Sequence, residues 1–175
     1  MSLREAIKPQ HEAAERHPFT VMLLTGEMPV ETYATYLFNH VIIYAAIENR
    51  VKALGMFAEY PEMFRVEKIG EDLEELGVKT LRVCDSTHAC VARVNSVSEK
   101  DLMAYFYLYH MADMYGGQMI KPHIPGSGRR FDFENRSALI AAIREKLTDD
   151  LADEAKVAFT FALELFDELI PSNTH

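Results

Sequence analysis

The stretch YHMADMYGG, residues 109–117, puts a carboxylate and two polar rings one helical turn from a pair of glycines. Asp113 lies three and four residues before Gly116 and Gly117, and Tyr109 and His110 lie four and three before Asp113, so all five fall on one helix face. Each glycine costs a helix interior about 1 kcal/mol relative to alanine, because it frees the unfolded backbone and packs no side chain. Something must offset that cost: a kink, a close helix crossing, or a flat ligand that touches the backbone. A tight crossing with a solvated aspartate is as good a reading of this helix by itself as a ligand slot.

A second group near the N-terminus favours the ligand. His11 and Glu15 are four residues apart, so the carboxylate can accept a proton from one imidazole nitrogen and leave the other as a metal ligand. Lys8 and Arg4, three and seven residues before His11, fall on its side if the helix survives Pro9. An imidazole ligand beside two cations suits a planar metal complex with anionic edges, and heme with its propionates is one. A third set, Cys84, His88 and Cys90, spells C-x3-H-x-C. Zinc would require a fourth ligand and paired spacings, so these read as two packed thiols.

The elements that must position these groups are helical. Ser2 and Glu5 have capping-box spacing ahead of a helix running to Arg16 and closed off by Pro18, with a kink or break at Pro9 just before His11. Pro29 suits the first turn of a long helix, apolar around most of its circumference, that ends before Gly55. Residues 61–77 form an acid-rich amphipathic helix ending at Gly77, and a shorter helix lies near Val83 to Val94. Ser98 and Asp101 start the glycine-bearing helix, which runs 23 residues to Pro122. The stretch PHIPGSGRR is a loop, and helical periodicity resumes from Arg136 to Ile170 with an interruption near Thr148. No alternating strand pattern occurs, which predicts an all-α domain of six to eight helices.

The 175 residues, 49% hydrophobic and 26% charged, fit one folded domain and exclude disorder. A net charge of -9 with no long basic run argues against nucleic-acid binding. With no apolar leader at the N-terminus, no membrane-length apolar run and only two cysteines, a reducing cytoplasmic location is expected.

The segment EAIKPQHEAAE resembles the proximal-helix signature of the heme oxygenases, and YLYHMADMYGGQ resembles their distal-helix signature, with Ala112, Gly116, Gly117 and Gln118 in its G-x-x-x-G-G-Q ending. VIIYAAIENRV is similar to the family's second long helix and DEAKVAFTFALELFDEL to its C-terminal one, so the likeness spans residues 5–169 in order and spacing. It implies an all-α, heme oxygenase-like domain over residues 1–171, a frayed tail over 172–175, and heme between the N-terminal helix and the glycine-bearing one. The implied activity is a monooxygenase that takes heme as substrate and prosthetic group. It would yield biliverdin, ferrous iron and carbon monoxide from O2 and electrons supplied by an external donor such as ferredoxin or a flavin reductase.

Carried over residue by residue, the resemblance makes His11 the axial iron ligand and Glu15 its hydrogen-bond partner. Asp113 becomes the carboxylate that orders distal water, with Tyr44 in its network, while Gly116 and Gly117 let the backbone lie on the heme face. Arg4, Lys8 and Tyr107 match propionate-binding positions, Phe159 and Phe166 the apolar wall, and Arg144 is the candidate on a reduced basic helix. Ala112 stands where the family commonly has glycine, and Tyr109 where some members have arginine; these departures bear on which meso carbon is attacked. Other occupants of such a fold are a non-catalytic heme-binding chaperone, a thiaminase and a di-iron protein. The last two require a pocket-facing cysteine nucleophile or repeated carboxylate and histidine ligands, and neither pattern is apparent.

Overall fold

The computed structural model describes residues 1–170, and among them are nine α-helices and no strand. Two prolines explain why the helices outnumber the expected six to eight. Pro9 does not kink a continuous N-terminal helix; the chain breaks earlier, at Ile7, between α1 (Leu3–Ala6) and α2 (Lys8–Arg16), so that Pro9 sits in the first turn of α2 where no amide donor is needed. Pro18 likewise opens a helix that the sequence did not announce, α3 (Pro18–Thr25), whose N-cap is the His17 ring: its Nδ1 accepts from the Phe19 amide at 3.0 Å.

The other boundaries follow the caps. The Ser2/Glu5 capping box is formed, and the Ser98 side chain accepts from the Asp101 amide at the start of α7 (Glu99–Ile120). Pro29 is the N-cap of α4 (Val30–Ala53), and Gly77, at φ 65°, terminates α5 (Val66–Leu76) in the left-handed conformation that glycine adopts without strain. α6 (Asp85–Ser96) starts two residues later than expected. α8 (Arg136–Arg144) and α9 (Ala152–Leu169) are separated at the interruption near Thr148 by a 3-10 turn, Asp149–Leu151. The expected tail, 172–175, lies outside the described residues.

α4 and α7 supply the centre of the core, with Tyr33, Leu37, Ile43, Tyr44 and Ile47 from one and Leu102, Tyr105, Phe106 and Met114 from the other nearly or wholly excluded from solvent. α2 contributes no buried residue. It leans on α3 and α9, while α7 also packs on α9, so the two helices share a neighbour rather than a mutual interface. Among the described residues no helix is long and apolar enough to cross a membrane. Cys84 and Cys90 are buried thiols, and burial pushes the Cys90 thiol up to about 12.

Candidate functional site

His11 stands on the uncovered side of α2 with its side chain 60% exposed, Nδ1 3.2 Å from a Glu15 carboxylate oxygen. An exposed pair of this kind contributes little stability, but a carboxylate at Nδ1 fixes the tautomer with the proton there and leaves the Nε2 lone pair available. The imidazole lies edge-on to Phe159 of α9, ring centroids 6.3 Å apart. Phe166, two turns further along α9, belongs to a different group: it stacks on Phe19 at 4.7 Å and reaches His17 and Tyr36.

The two glycines of α7 have different surroundings, because successive helical residues are turned by 100°. A side chain at Gly116 would meet nothing within 4 Å, and the neighbouring Ala112 and Met119 are exposed. Gly117 is buried, and a Cβ there would stand 2.3 Å from the Phe131 ring. The shared face expected of Tyr109, His110, Asp113, Gly116 and Gly117 is therefore divided. Gly116 edges onto open space, whereas Gly117 is a close crossing.

Asp113 is buried, and its partners come from two elements, α4 and the turn after α7. Oδ2 accepts from the Tyr44 hydroxyl at 2.7 Å, and Oδ1 accepts from Arg130 Nη2 at 3.2 Å. The same Nη2 reaches the Tyr44 oxygen at 2.9 Å and His40 Nδ1 at 3.0 Å. Because the guanidinium only donates, His40 Nδ1 must be the acceptor, so the ring is neutral. Burial, with Arg130 adding to it, holds the His40 imidazole well below its ordinary value. Burial and then the Asp113 charge push the Tyr44 phenol well above its usual range, so it stays a donor to the carboxylate.

Arg130 and His40 were not singled out from sequence. Arg130 belongs to the turn Arg129–Phe131 in the proline- and glycine-rich segment after α7, where a basic residue reads as solvated. Tyr109, one turn before Asp113 on α7, has no charge to offer it, and the guanidinium arrives from the loop.

A second buried polar pair lies on the other side of Tyr44. His110 Nε2 is 2.7 Å from a Glu48 oxygen and its Nδ1 is 3.1 Å from the Phe106 carbonyl. A carbonyl only accepts, so Nδ1 carries a proton and a further proton is shared between Nε2 and Glu48. Glu48 also accepts from the Arg65 amide at 2.8 Å and the Val66 amide at 3.3 Å, which caps α5.

The cationic candidates separate as well. Burial raises the Tyr107 phenol above its ordinary value, and the charges of Arg4 and Arg144 act against that rise. Arg144 donates to the Tyr115 hydroxyl. Lys8 is 73% exposed and pairs with Glu12 at 3.9 Å. Among the described residues no group of three or more histidine, cysteine, aspartate or glutamate side chains could hold a metal ion.

The family model described as heme oxygenase matches residues 1–168 of the chain. A heme oxygenase of the red alga Porphyra purpurea is 25% identical, the match covering 95% of this chain and 84% of that protein. Among solved structures, heme oxygenase-1 of the cyanobacterium Synechocystis in complex with heme superposes with a TM-score of 0.84 at 22% identity, covering 96% of this chain and 90% of that one. Heme oxygenase of Leptospira interrogans gives 0.81 at 21% identity, covering 96% and 100%.

Proposed function

The chain belongs to the heme oxygenase family, and from that premise we propose that it cleaves heme oxidatively to biliverdin, releasing ferrous iron and carbon monoxide. The observation that carries the reading is the His11 imidazole, held at Nδ1 by Glu15 and open at Nε2, on a helix that leaves its outer face uncovered. The donor set suits heme: one open imidazole nitrogen on α2, a helix edge without a side chain at Gly116, and the charges of Arg4 and Arg144 acting on Tyr107.

When bound, heme supplies both the carbon skeleton to be cleaved and the iron at which dioxygen is reduced, with electrons from an external donor such as ferredoxin or a flavin reductase. The protein's part is to hold and orient. His11 Nε2 would take the iron, and Glu15, bonded at Nδ1, would fix the ring's tautomer and orientation. Phe159 walls the His11 side, and Phe166 extends the apolar surface through Phe19 and Tyr36. Arg4, Tyr107 and Arg144 are grouped to receive carboxylates at one edge, with Lys8 at the solvent boundary. Gly116 admits a flat ring against the α7 backbone; Gly117 acts from behind, by letting Phe131 press on α7. Asp113, with Tyr44 donating to it, is the fixed acceptor that would hold water near the reacting face and pass protons from it.

The test is direct. Heme-loaded protein given O2 and a reductant loses its Soret band, and chromatography recovers biliverdin. A Soret band that survives repeated reduction would instead identify a heme carrier.

A further inference from the structure

We propose that Arg130 is a positioning residue for the distal carboxylate, delivered by the loop after α7 and held there by Asp72 and Arg65. The proposal rests on the heme-degrading reading for its consequence in turnover, while its geometry belongs to the heme-free chain.

Three observations carry it. First, the guanidinium is 1% exposed and spends Nη2 on Asp113, Tyr44 and His40, the groups that surround the carboxylate. Secondly, the backbone that carries it is clamped on both sides. The two Asp72 oxygens accept from the Arg129 and Arg130 amides at 2.8 and 2.9 Å, and Arg65 Nη1 donates to the carbonyls of Arg130 and Asp132 at 3.2 and 2.8 Å. A side chain anchored this way cannot follow solvent, so the loop fixes where its charge sits.

Thirdly, Arg130 Nε and Nη1 are buried and have no protein partner. Leaving such donors unmet costs about 1–3 kcal/mol each unless water reaches them. A purely structural role would be filled as well by an apolar side chain of similar volume, which removes the desolvation cost altogether. A buried cation with two spare donors beside a carboxylate offers places at which water could be held next to Asp113. The titratable and charged groups that face it are Tyr33, Tyr36, His40 and Tyr44 of α4, Asp113 of α7, Asp72 of α5 and Arg65 just before α5.

The experiment compares Arg130→Met and Arg130→Lys with Asp113→Asn and with the Arg130→Met/Asp113→Asn double variant. Arg130→Met should slow reductant-driven heme loss by roughly 3- to 10-fold, no more than the loss of Asp113 itself because it acts through that carboxylate, with heme affinity within about threefold of native. Arg130→Lys should recover part of that rate, since it restores charge without the fork. Because Arg130 acts through Asp113, the double variant should be no more than about twofold slower than Asp113→Asn alone; losses that multiply would overturn the proposal. A second readout needs neither heme nor turnover: the carboxyl-carbon resonance of Asp113 in the heme-free protein should move in Arg130→Met and return partway in Arg130→Lys. An unmoved resonance in a folded variant overturns the proposal. If Arg130→Met does not fold, Asp72→Asn, which loosens the loop and keeps the guanidinium, carries both readouts. A native chain that does not consume heme would end the functional reading, and the resonance would still decide the placement of Arg130.

Discussion

α2 and α7, the two helices that the proposed function places on either side of heme, hold their polar groups in opposite ways. On α2 the histidine and its carboxylate are both more than half exposed and the helix buries nothing. Around α7 the aspartate, Tyr44, His40 and the guanidinium are buried and bonded to one another, and buried His110 is bonded to Glu48, before any ligand arrives. An exposed ligand residue costs the fold nothing and takes its final order from the bond it makes. A buried acid–base group must be placed in advance, since reorganising it during the reaction would add to the barrier. On the proposed function, the contrast teaches that the α2 side is built to adjust to what it binds and the α7 side to stay put.

The largest effect should come from breaking the rigid side. Gly117→Leu forces a branched side chain into the Phe131 ring, and overpacking of that kind costs about 3 kcal/mol or more, lowering the heme-free melting temperature by roughly 6–12 °C for a domain of this size. Gly116→Leu should leave that melting temperature nearly unchanged while sharply weakening heme binding. Equal melting losses for both would erase the distinction between the two glycines.

Next comes the compliant side. His11→Ala should melt as native does without heme, still take heme up, and lose turnover by more than about 100-fold, beyond the roughly 10–100-fold that removal of its outer partner in Glu15→Ala should cost. Added imidazole should restore part of it. Turnover and a heme spectrum like native without imidazole would show that the iron is held elsewhere.

Asp113→Ala should bind heme almost normally and yield about tenfold less biliverdin or lower, the loss expected when a positioned proton-handling group goes. Product formed at the native rate would transfer that role to a neighbour such as Tyr44 or His110.

The smallest effect is a pH dependence confined to the buried side. Folded His40 stays neutral well below the pH at which the unfolded chain protonates it, so the unfolded state binds more protons and native stability falls as pH drops below about 6.5. His40→Gln keeps an acceptor for Arg130 and removes the titration. Its stability deficit, read by urea melts at pH 7.5 and 5.5, should narrow by roughly 1 kcal/mol per pH unit below about 6. A constant deficit would mean that the ring is already protonated in the fold.

Local chemistry made much of this legible in the sequence. Ser2, Ser98 and Gly77 marked their boundaries because a cap is written within four residues, and the spacings of His11 to Glu15 and Tyr109 to Asp113 follow from the helical period. Pro18 was read as a stop when it is also a start, since the same missing amide suits either role. Gly116 and Gly117 looked equivalent because the pattern gives their separation and not which of them meets a neighbouring loop. Arg130 and the Glu48–His110 pair were hidden for a stronger reason: each depends on tertiary contacts between separate elements, and no local periodicity announces a partner 62 or 86 residues away.

Those separations also govern the order in which a chain leaving the ribosome can complete the site. Tyr44 and His40 are made early, yet the guanidinium that bonds to both emerges 86 and 90 residues later. At about 5–20 residues per second the wait behind Tyr44 is roughly 4–17 s. Throughout that interval the polar stripe of α4 has no cation to meet, and the Asp72 carboxylate waits for amides 57 and 58 residues downstream. Asp113 and Arg130, only 17 residues apart, close their loop at small entropic cost once α7 and the turn have been made. The distal cluster is therefore a late event of synthesis, set by a loop that reaches back to helices translated long before it.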